Sequence, residues 1–192
     1  MPNGARTLFA GHQVRARLAE AWKEILRENG IGGHVGEIVL TPILEGAIPL
    51  ARDTKTILGR LAPGIAVPEY PVRISRTSGE RLIMPELAEA GGDPGVIKGR
   101  FVVILDDLTD EGATLLLARD SILKHAPRKV ISLVVLMKRG RKGANIVPDY
   151  ACFELDYGNE EANRKWIFGY GMDFRGRFRD LDDIFAVSLE ER

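Results

Sequence analysis

Residues 101–137 read FVVILDDLTDEGATLLLARDSILKHAPRKVISLVVLM. Residues 101–105 are continuously apolar, as are residues 130–136, and Thr114–Lys124 between them carries apolar residues at helical spacing. Strand, helix, strand over this length is a βαβ unit, whose parallel strands are buried on both faces. The expected fold is therefore α/β, with a doubly wound, mainly parallel central sheet. In such a sheet ligands bind beyond the carboxyl ends of the strands. Residues 106–114, DDLTDEGAT, sit at that edge.

Working outward, Val14, Leu18, Ala21, Trp22, Ile25 and Leu26 fall on one face of a helix that Gly30 can stop. Residues 37–44, EIVLTPIL, read as a short strand, and a second helix spans roughly Ala47–Leu61. Residues 67–75 suggest an extended segment, irregular or at an edge because of Pro68 and Pro71. Residues 76–99 are rich in glycine and proline and too long for a plain connection, which predicts a hairpin, a lid or both. Segments 150–154, 166–170 and 184–188 look like further strands, and 156–165 is a polar loop.

The composition is that of an ordinary globular chain: 192 residues, 45% hydrophobic, 28% charged. This suits one domain, or one domain with a small lobe. With 27 basic and 27 acidic residues there is no basic excess, so no nucleic-acid partner is expected. No apolar run approaches the ~20 residues of a membrane span, and the first residues lack the apolar stretch of a secretory signal. Cys152 alone cannot build a disulfide framework, and His12, His34 and His125 lack metal-ligand spacing. The expectation is a cytoplasmic protein without a structural metal.

The 106–114 segment suits two kinds of ligand group. A phosphate needs unpaired N–H groups, and a helix N-terminus near Gly112 offers several, with the Thr114 hydroxyl as a further donor. Asp106 and Asp107 repel phosphate; they suit vicinal ribose hydroxyls, or Mg²⁺ held through water. Asp110 lies between, where a reacting centre would be. The plainer reading is that the acids only end a strand and cap a helix. Strand, acid pair, third acid and Gly-x-Thr in that order favour a sugar-phosphate pocket.

The run VVILDDLTDEGATL resembles the phosphoribosyl-pyrophosphate motif of type I phosphoribosyltransferases, and most of all their hypoxanthine-guanine branch. VGEIVLTPILEGAIPLARD resembles that family's pyrophosphate loop and the helix after it. VISLVVLMKRG resembles its lysine-bearing strand. PDYACFELD with RKWIFGYGMDFRGRFRDLDDIFAVS resembles its base-binding C-terminal segment. The likeness runs in order over roughly residues 8–188.

The resemblance implies one domain over 1–192, with a core of about 35–150, a small hood from about 1–12 and 150–192, and a mobile lid at about 76–99. It implies transfer of the 5-phosphoribosyl group from phosphoribosyl pyrophosphate to a 6-oxopurine, with Mg²⁺, in a homodimer or homotetramer. Asp110 would be the acid/base group near purine N7. Asp106 and Asp107 would hold the ribose hydroxyls and Mg²⁺. Glu111, Gly112, Ala113 and Thr114 would cradle the 5-phosphate, and Glu45, Gly46 and Arg179 would meet pyrophosphate. Lys138 would donate to the purine 6-oxo group, Trp166 would stack on the base, and the Ile167 backbone would read its edge. Asp173 would contact a second Mg²⁺ or the exocyclic group.

Three positions depart from the family pattern. Glu45 stands where a lysine is usual, Glu111 where a threonine is common, and the Ser-Tyr pair of the lid is replaced by Ser75-Arg76-Thr77-Ser78. These leave a second reading open, a regulatory nucleotide-binding protein on the same fold.

Overall fold

The computed structural model describes residues 1–31, 38–64, 67–76, 85–89, 92–140, 146–157 and 165–188. Its elements in chain order are β1 (Arg6–Phe9), α1 (Gly11–Glu28), β2 (Ile38–Leu44), α2 (Ile48–Leu61), β3 (Val72–Arg76), β4 (Pro85–Glu89), β5 (Phe101–Thr109), α3 (Ala113–Leu123), β6 (Lys129–Arg139), β7 (Tyr150–Asp156), β8 (Lys165–Phe168) and β9 (Ile184–Ser188). A six-stranded sheet has the order β4-β3-β2-β5-β6-β7. Every pairing in it is parallel except β3 with β4.

The period of two along β5 decides what covers the sheet. Phe101, Val103 and Leu105 pack on one face with Ile38, Leu40, Ile131, Leu133 and the buried stripes of α1 and α2. Val102 and Ile104 pack on the other with Val39, Val130, Val134 and the α3 residues Leu115, Ala118 and Ile122. The anticipated doubly wound α/β architecture is thus present, with helices on both faces.

Local chemistry sets the helix ends. Gly30 takes φ +61°, and Ile31 N–H donates to Leu26 O while Gly30 N–H donates to Arg27 O, a Schellman closure of α1. At the other end Gly11 N–H donates to the Asp183 carboxylate at 2.7 Å, which satisfies an orphan amide and places negative charge at the helix start. Inside α1, Trp22 is fully buried and donates through Nε1 to Thr54 of α2.

A smaller antiparallel sheet, β1-β9-β8, joins the two ends of the chain. Phe9 of β1 stacks on Phe153 of β7 at 3.8 Å, tying this sheet to the core. Several boundaries differ from the sequence reading. Four residues, RTLF, were too few to signal β1. Residues 150–156 lie beside β6 in the main sheet, not in a terminal lobe. Strand β8 occupies 165–168 where 166–170 was expected, because Gly169 turns the chain at φ +91°. Strand β5 runs to Thr109 instead of ending at Leu105, because β6 is long enough to pair with it as far as Thr109 opposite Met137. Within 76–99, β3 and β4 form a hairpin in register from Arg76–Pro85 to Val72–Glu89. The tip at 77–84, residues 90–91 and most of the 156–165 loop lie outside the described residues. Among the described residues no helix is long and apolar enough to cross a membrane.

Cys152 is the expected small buried strand residue, 3% exposed, and burial pushes its thiol up to about 12. Against an ordinary thiol near 8.5, that lowers the thiolate fraction at pH 8 by about three orders of magnitude. Labelling by an aromatic disulfide reagent at pH 8 should therefore be slow in the folded protein and rapid in denaturant. Equal rates in the two states would show that β7 is open.

Candidate active site

The sheet parts where β2 and β5 diverge. Their last paired residues are Pro42 and Leu105, and beyond that point β2 pairs instead with β3, at Ile43–Val72 and Leu44–Arg73. Pro42 has no N–H with which to extend a ladder. From here α2 carries the chain to β3 on one side, while α3 carries it to β6 on the other. This is a topological switch point, where doubly wound sheets bind ligands.

A cavity of about 540 Å³ lies there. Its wall brings together Glu45, Gly46, Asp106, Asp107, Asp110, Thr114, Lys138, Trp166, Ile167, Asp173 and Arg179. Residues 67 positions apart in the chain, Asp106 and Asp173 with their neighbours, thus share one wall. Glu111, Gly112 and Ala113 make the turn into α3, with Glu111 exposed, and are not part of this lining among the described residues. Sequence reasoning missed Lys165 and Met172, which also line the cavity, and Tyr157, whose ring lies 4.5 Å beneath the Lys138 ammonium. Lys165 precedes Trp166 in a basic, aromatic run that offered a signal. Tyr157 offered none, since β7 alone brings it under β6.

The turn into α3 is built on Gly112, which caps the helix at φ +77°. A Cβ there would lie 2.3 Å from the Ile146 carbonyl oxygen, so the position admits only glycine. Asp106 is buried and accepts from the Asp107 amide at 3.0 Å, and Asp107 accepts from the Leu108 amide at 2.8 Å. Burial raises the Asp107 carboxyl above its ordinary range, while bonds from Asp106 and Leu108 and the charge of Arg179 pull it back.

Three stretches of the chain meet at Gly46. A Cβ on Gly46 would strike the Asp107 carboxylate, at 2.2 Å from Oδ2, and a Cβ on Gly171 would strike the Gly46 carbonyl, at 1.8 Å. The arm after β8 is braced from within. Trp166 Nε1 donates to Asp173 O at 2.7 Å, Arg179 donates to Gly171 O at 2.6 Å and to Asp173 Oδ1 at 2.7 Å, and Asp173 Oδ2 accepts from Gly176 N. Trp166 nonetheless leaves 41% of its surface exposed, an unusual amount for an indole set edge-on to Phe174. On the same cavity wall, Lys138 Nζ stands 3.6 Å from Asp110 Oδ2. Glu45, beyond the end of β2, accepts from Arg73 of β3 at 3.1 Å.

A carboxylate pair beside a helix N-terminus, at the switch point of a doubly wound sheet, marks an α/β protein whose site chemistry suits a phosphorylated, hydroxyl-bearing ligand. The phosphoribosyl transferase domain profile matches residues 4–175, and the chain belongs to that family. Among relatives, it is 29% identical over 185 residues to a hypoxanthine-guanine phosphoribosyltransferase of Mycobacterium avium, covering 92% of this chain and 82% of that one. It is 31% identical over 98 residues to the Bos taurus protein of the same name, covering 51% of this chain and 42% of that one. The chain thus spans less than half the length of that mammalian relative. Among solved structures, a Trypanosoma cruzi hypoxanthine phosphoribosyltransferase complexed with the product IMP superposes with a TM-score of 0.81 at 22% identity, covering 99% of this chain and 94% of that one. A hypoxanthine-guanine phosphoribosyltransferase from Bacillus anthracis gives 0.76 at 23% identity, covering 95% and 98%.

Gly171→Ala should be costly, because its φ of +97° and the Gly46 carbonyl both forbid a Cβ. Strain at such a position is about 1–3 kcal/mol before the overlap is counted. Gly59, helical with open space around its Cα, is the control, where alanine should stabilise by about 0.5–1 kcal/mol. Thermal melts of the two variants should move in opposite directions. A Gly171→Ala melt unchanged from the parent would contradict the close approach.

Proposed function

We propose that this chain is a purine-salvage phosphoribosyltransferase, transferring the 5-phosphoribosyl group of phosphoribosyl pyrophosphate to hypoxanthine or guanine and releasing pyrophosphate. The observation that carries the reading is the Asp110–Lys138 pair, 3.6 Å apart on the cavity wall. On a free 6-oxopurine that carries its imidazole proton on N7, O6 accepts and N7–H donates side by side on one edge. An ammonium donates and cannot accept, so Lys138 suits O6 and disfavours a 6-amino group. A carboxylate beside it suits the proton on N7. The names of the relatives point the same way.

The roles of the remaining residues follow from their chemistry. Trp166 offers a partly exposed indole face on which a base stacks, typically worth ~1–3 kcal/mol. The amides from Glu111 to Thr114 and the Thr114 hydroxyl would hold the 5-phosphate at the start of α3, while Asp106 and Asp107 would accept from the ribose hydroxyls. Ribosyl C1 acquires oxocarbenium character as its bond to pyrophosphate breaks and purine N9 attacks. Asp110 would take the N7 proton as positive charge builds on the purine. Arg179 would face pyrophosphate with the N–H donors it does not spend on Gly171 and Asp173.

The acids on the wall are hard oxygen donors, which suit Mg²⁺. Among the described residues no three His, Cys, Asp or Glu side chains form a ready cage. That fits a cation held largely through substrate oxygens and water, with Asp106, Asp107 and Asp173 as the protein groups that would hold it. Bound there, Mg²⁺ supplies charge stabilisation to the departing pyrophosphate.

Pyrophosphate release should be magnesium-dependent and selective for 6-oxopurines over adenine and pyrimidines. Asp110→Asn should lower kcat by ~10²–10⁴-fold, the usual worth of general acid–base catalysis. Calorimetric binding of phosphoribosyl pyrophosphate should survive the change. Undiminished turnover in Asp110→Asn would remove Asp110 from the chemistry.

A further inference from the structure

We infer that Arg73 is a positioning residue for the diphosphate end of the donor substrate, holding the Glu45 side chain and cancelling its charge so that the Gly46 side of the cavity can accept an anion. The inference rests on the proposed phosphoribosyl transfer. The wall presents five carboxylates, Glu45, Asp106, Asp107, Asp110 and Asp173, against three cations, Lys138, Lys165 and Arg179. Two of those cations already face acids, Lys138 at Asp110 and Arg179 at Asp173. A ligand carrying several negative charges would therefore enter a wall with a net acidic lining. Asp106 and Asp107 have hydroxyl partners in the ribose. Glu45 has none in a diphosphate, and its loop is the one whose Gly46 backbone closes that end of the cavity.

The sheet supplies the remedy. Parallel pairing sets Arg73 of β3 opposite Leu44, next to Glu45 along the chain, and the guanidinium reaches Glu45 Oε1 at 3.1 Å. Arg73 is outside the cavity lining, so it acts through Glu45. The two side chains are 49% and 54% exposed, so solvent screens the pair and it adds little to folding. Its effect is felt instead by a polyanion a few ångströms away, where each uncancelled charge matters and dilute salt magnifies it.

The experiment is steady-state pyrophosphate release by the full chain at fixed Mg²⁺, in low and high salt. Arg73→Ala should raise KM for phosphoribosyl pyrophosphate about tenfold in low salt and less in high salt. The kcat, the KM for hypoxanthine and the melting temperature should stay near wild-type values. Arg73→Lys should restore most of the loss, and adding Glu45→Gln to Arg73→Ala should bring KM most of the way back. A flat KM in Arg73→Ala overturns the inference. So does a double variant as weak as Arg73→Ala alone, since Arg73 would then meet the anion directly. Turnover by the wild-type chain separates these failures from failure of the underlying reading. A wild-type chain that neither releases pyrophosphate nor gives heat with phosphoribosyl pyrophosphate overturns both.

Discussion

The divergence of β2 from β5 after the Pro42–Leu105 pair is the constraint on which the rest of the structure depends. Crossovers between parallel strands are right-handed, so chains leaving a central pair in opposite directions put their helices on opposite faces. That is why α2 packs with α1 on one side while α3 packs alone on the other. At the carboxyl ends no strand among the described residues fills the gap. On one side of it is the turn after β2, with Glu45 and Gly46. On the other is the projecting end of β5, with Asp106, Asp107 and Asp110. Strand β6 pairs with β5 as far as Met137 and runs on beside β7 to Arg139, which brings Lys138 to Asp110. The cavity is thus a property of sheet topology before any side chain is chosen.

Side-chain chemistry then divides that gap. The αL turn at Gly112 and the start of α3 give one end a cluster of amide donors, suited to an anion. Asp106 and Asp107 sit next along the strand, where their acceptor oxygens suit hydroxyl donors. Lys138 over the Tyr157 ring and facing Asp110 adds a donor–acceptor pair to the wall, which also carries the partly exposed indole of Trp166. Amide donors, acceptor oxygens and an aromatic face are the three chemistries that the proposed reading needs for phosphate, ribose and base. Displacing any one of the three relative to the others by an ångström would spoil the alignment of a reacting bond. This accounts for glycines at 46 and 171, where Cβ atoms would force such displacements.

Much of this was legible because its causes are local. The apolar runs at 101–105 and 130–136, with helical spacing between, demand a βαβ unit. The acids and Gly112 between them follow from what a strand-to-helix turn can bind. What escaped the sequence reading was set by partners distant in the chain. Residues 6–9 become a strand because β9 offers an edge, Asp106–Thr109 remain extended because β6 outlasts β2, and Tyr157 lies under Lys138 because β7 pairs with β6. Arg73 shows the point most clearly. Nothing between residues 67 and 75 marks it, and only the parallel register with Leu44 brings it to Glu45.

The arm that follows Trp166 and carries Asp173 and Arg179 must also be fixed relative to the core. The fixing point is Tyr170, fully buried at φ +48°, whose hydroxyl donates to Asp53 at 2.9 Å. Burial, the Asp53 charge and the bond to Asp53 all raise the phenol above its usual range, so it stays a neutral donor. Asp53 in turn accepts from Arg52 and stands near Arg15, and both arginines also face Asp182 on the returning arm. An unpaired carboxylate at that depth would be costly, so the tyrosine, the arginines and Asp53 need one another. Asp53 lies on α2, the helix that begins directly after the Glu45–Gly46 turn. One helix therefore positions the loop at one end of the cavity and anchors the arm that closes the other, so neither wall can shift without straining the other.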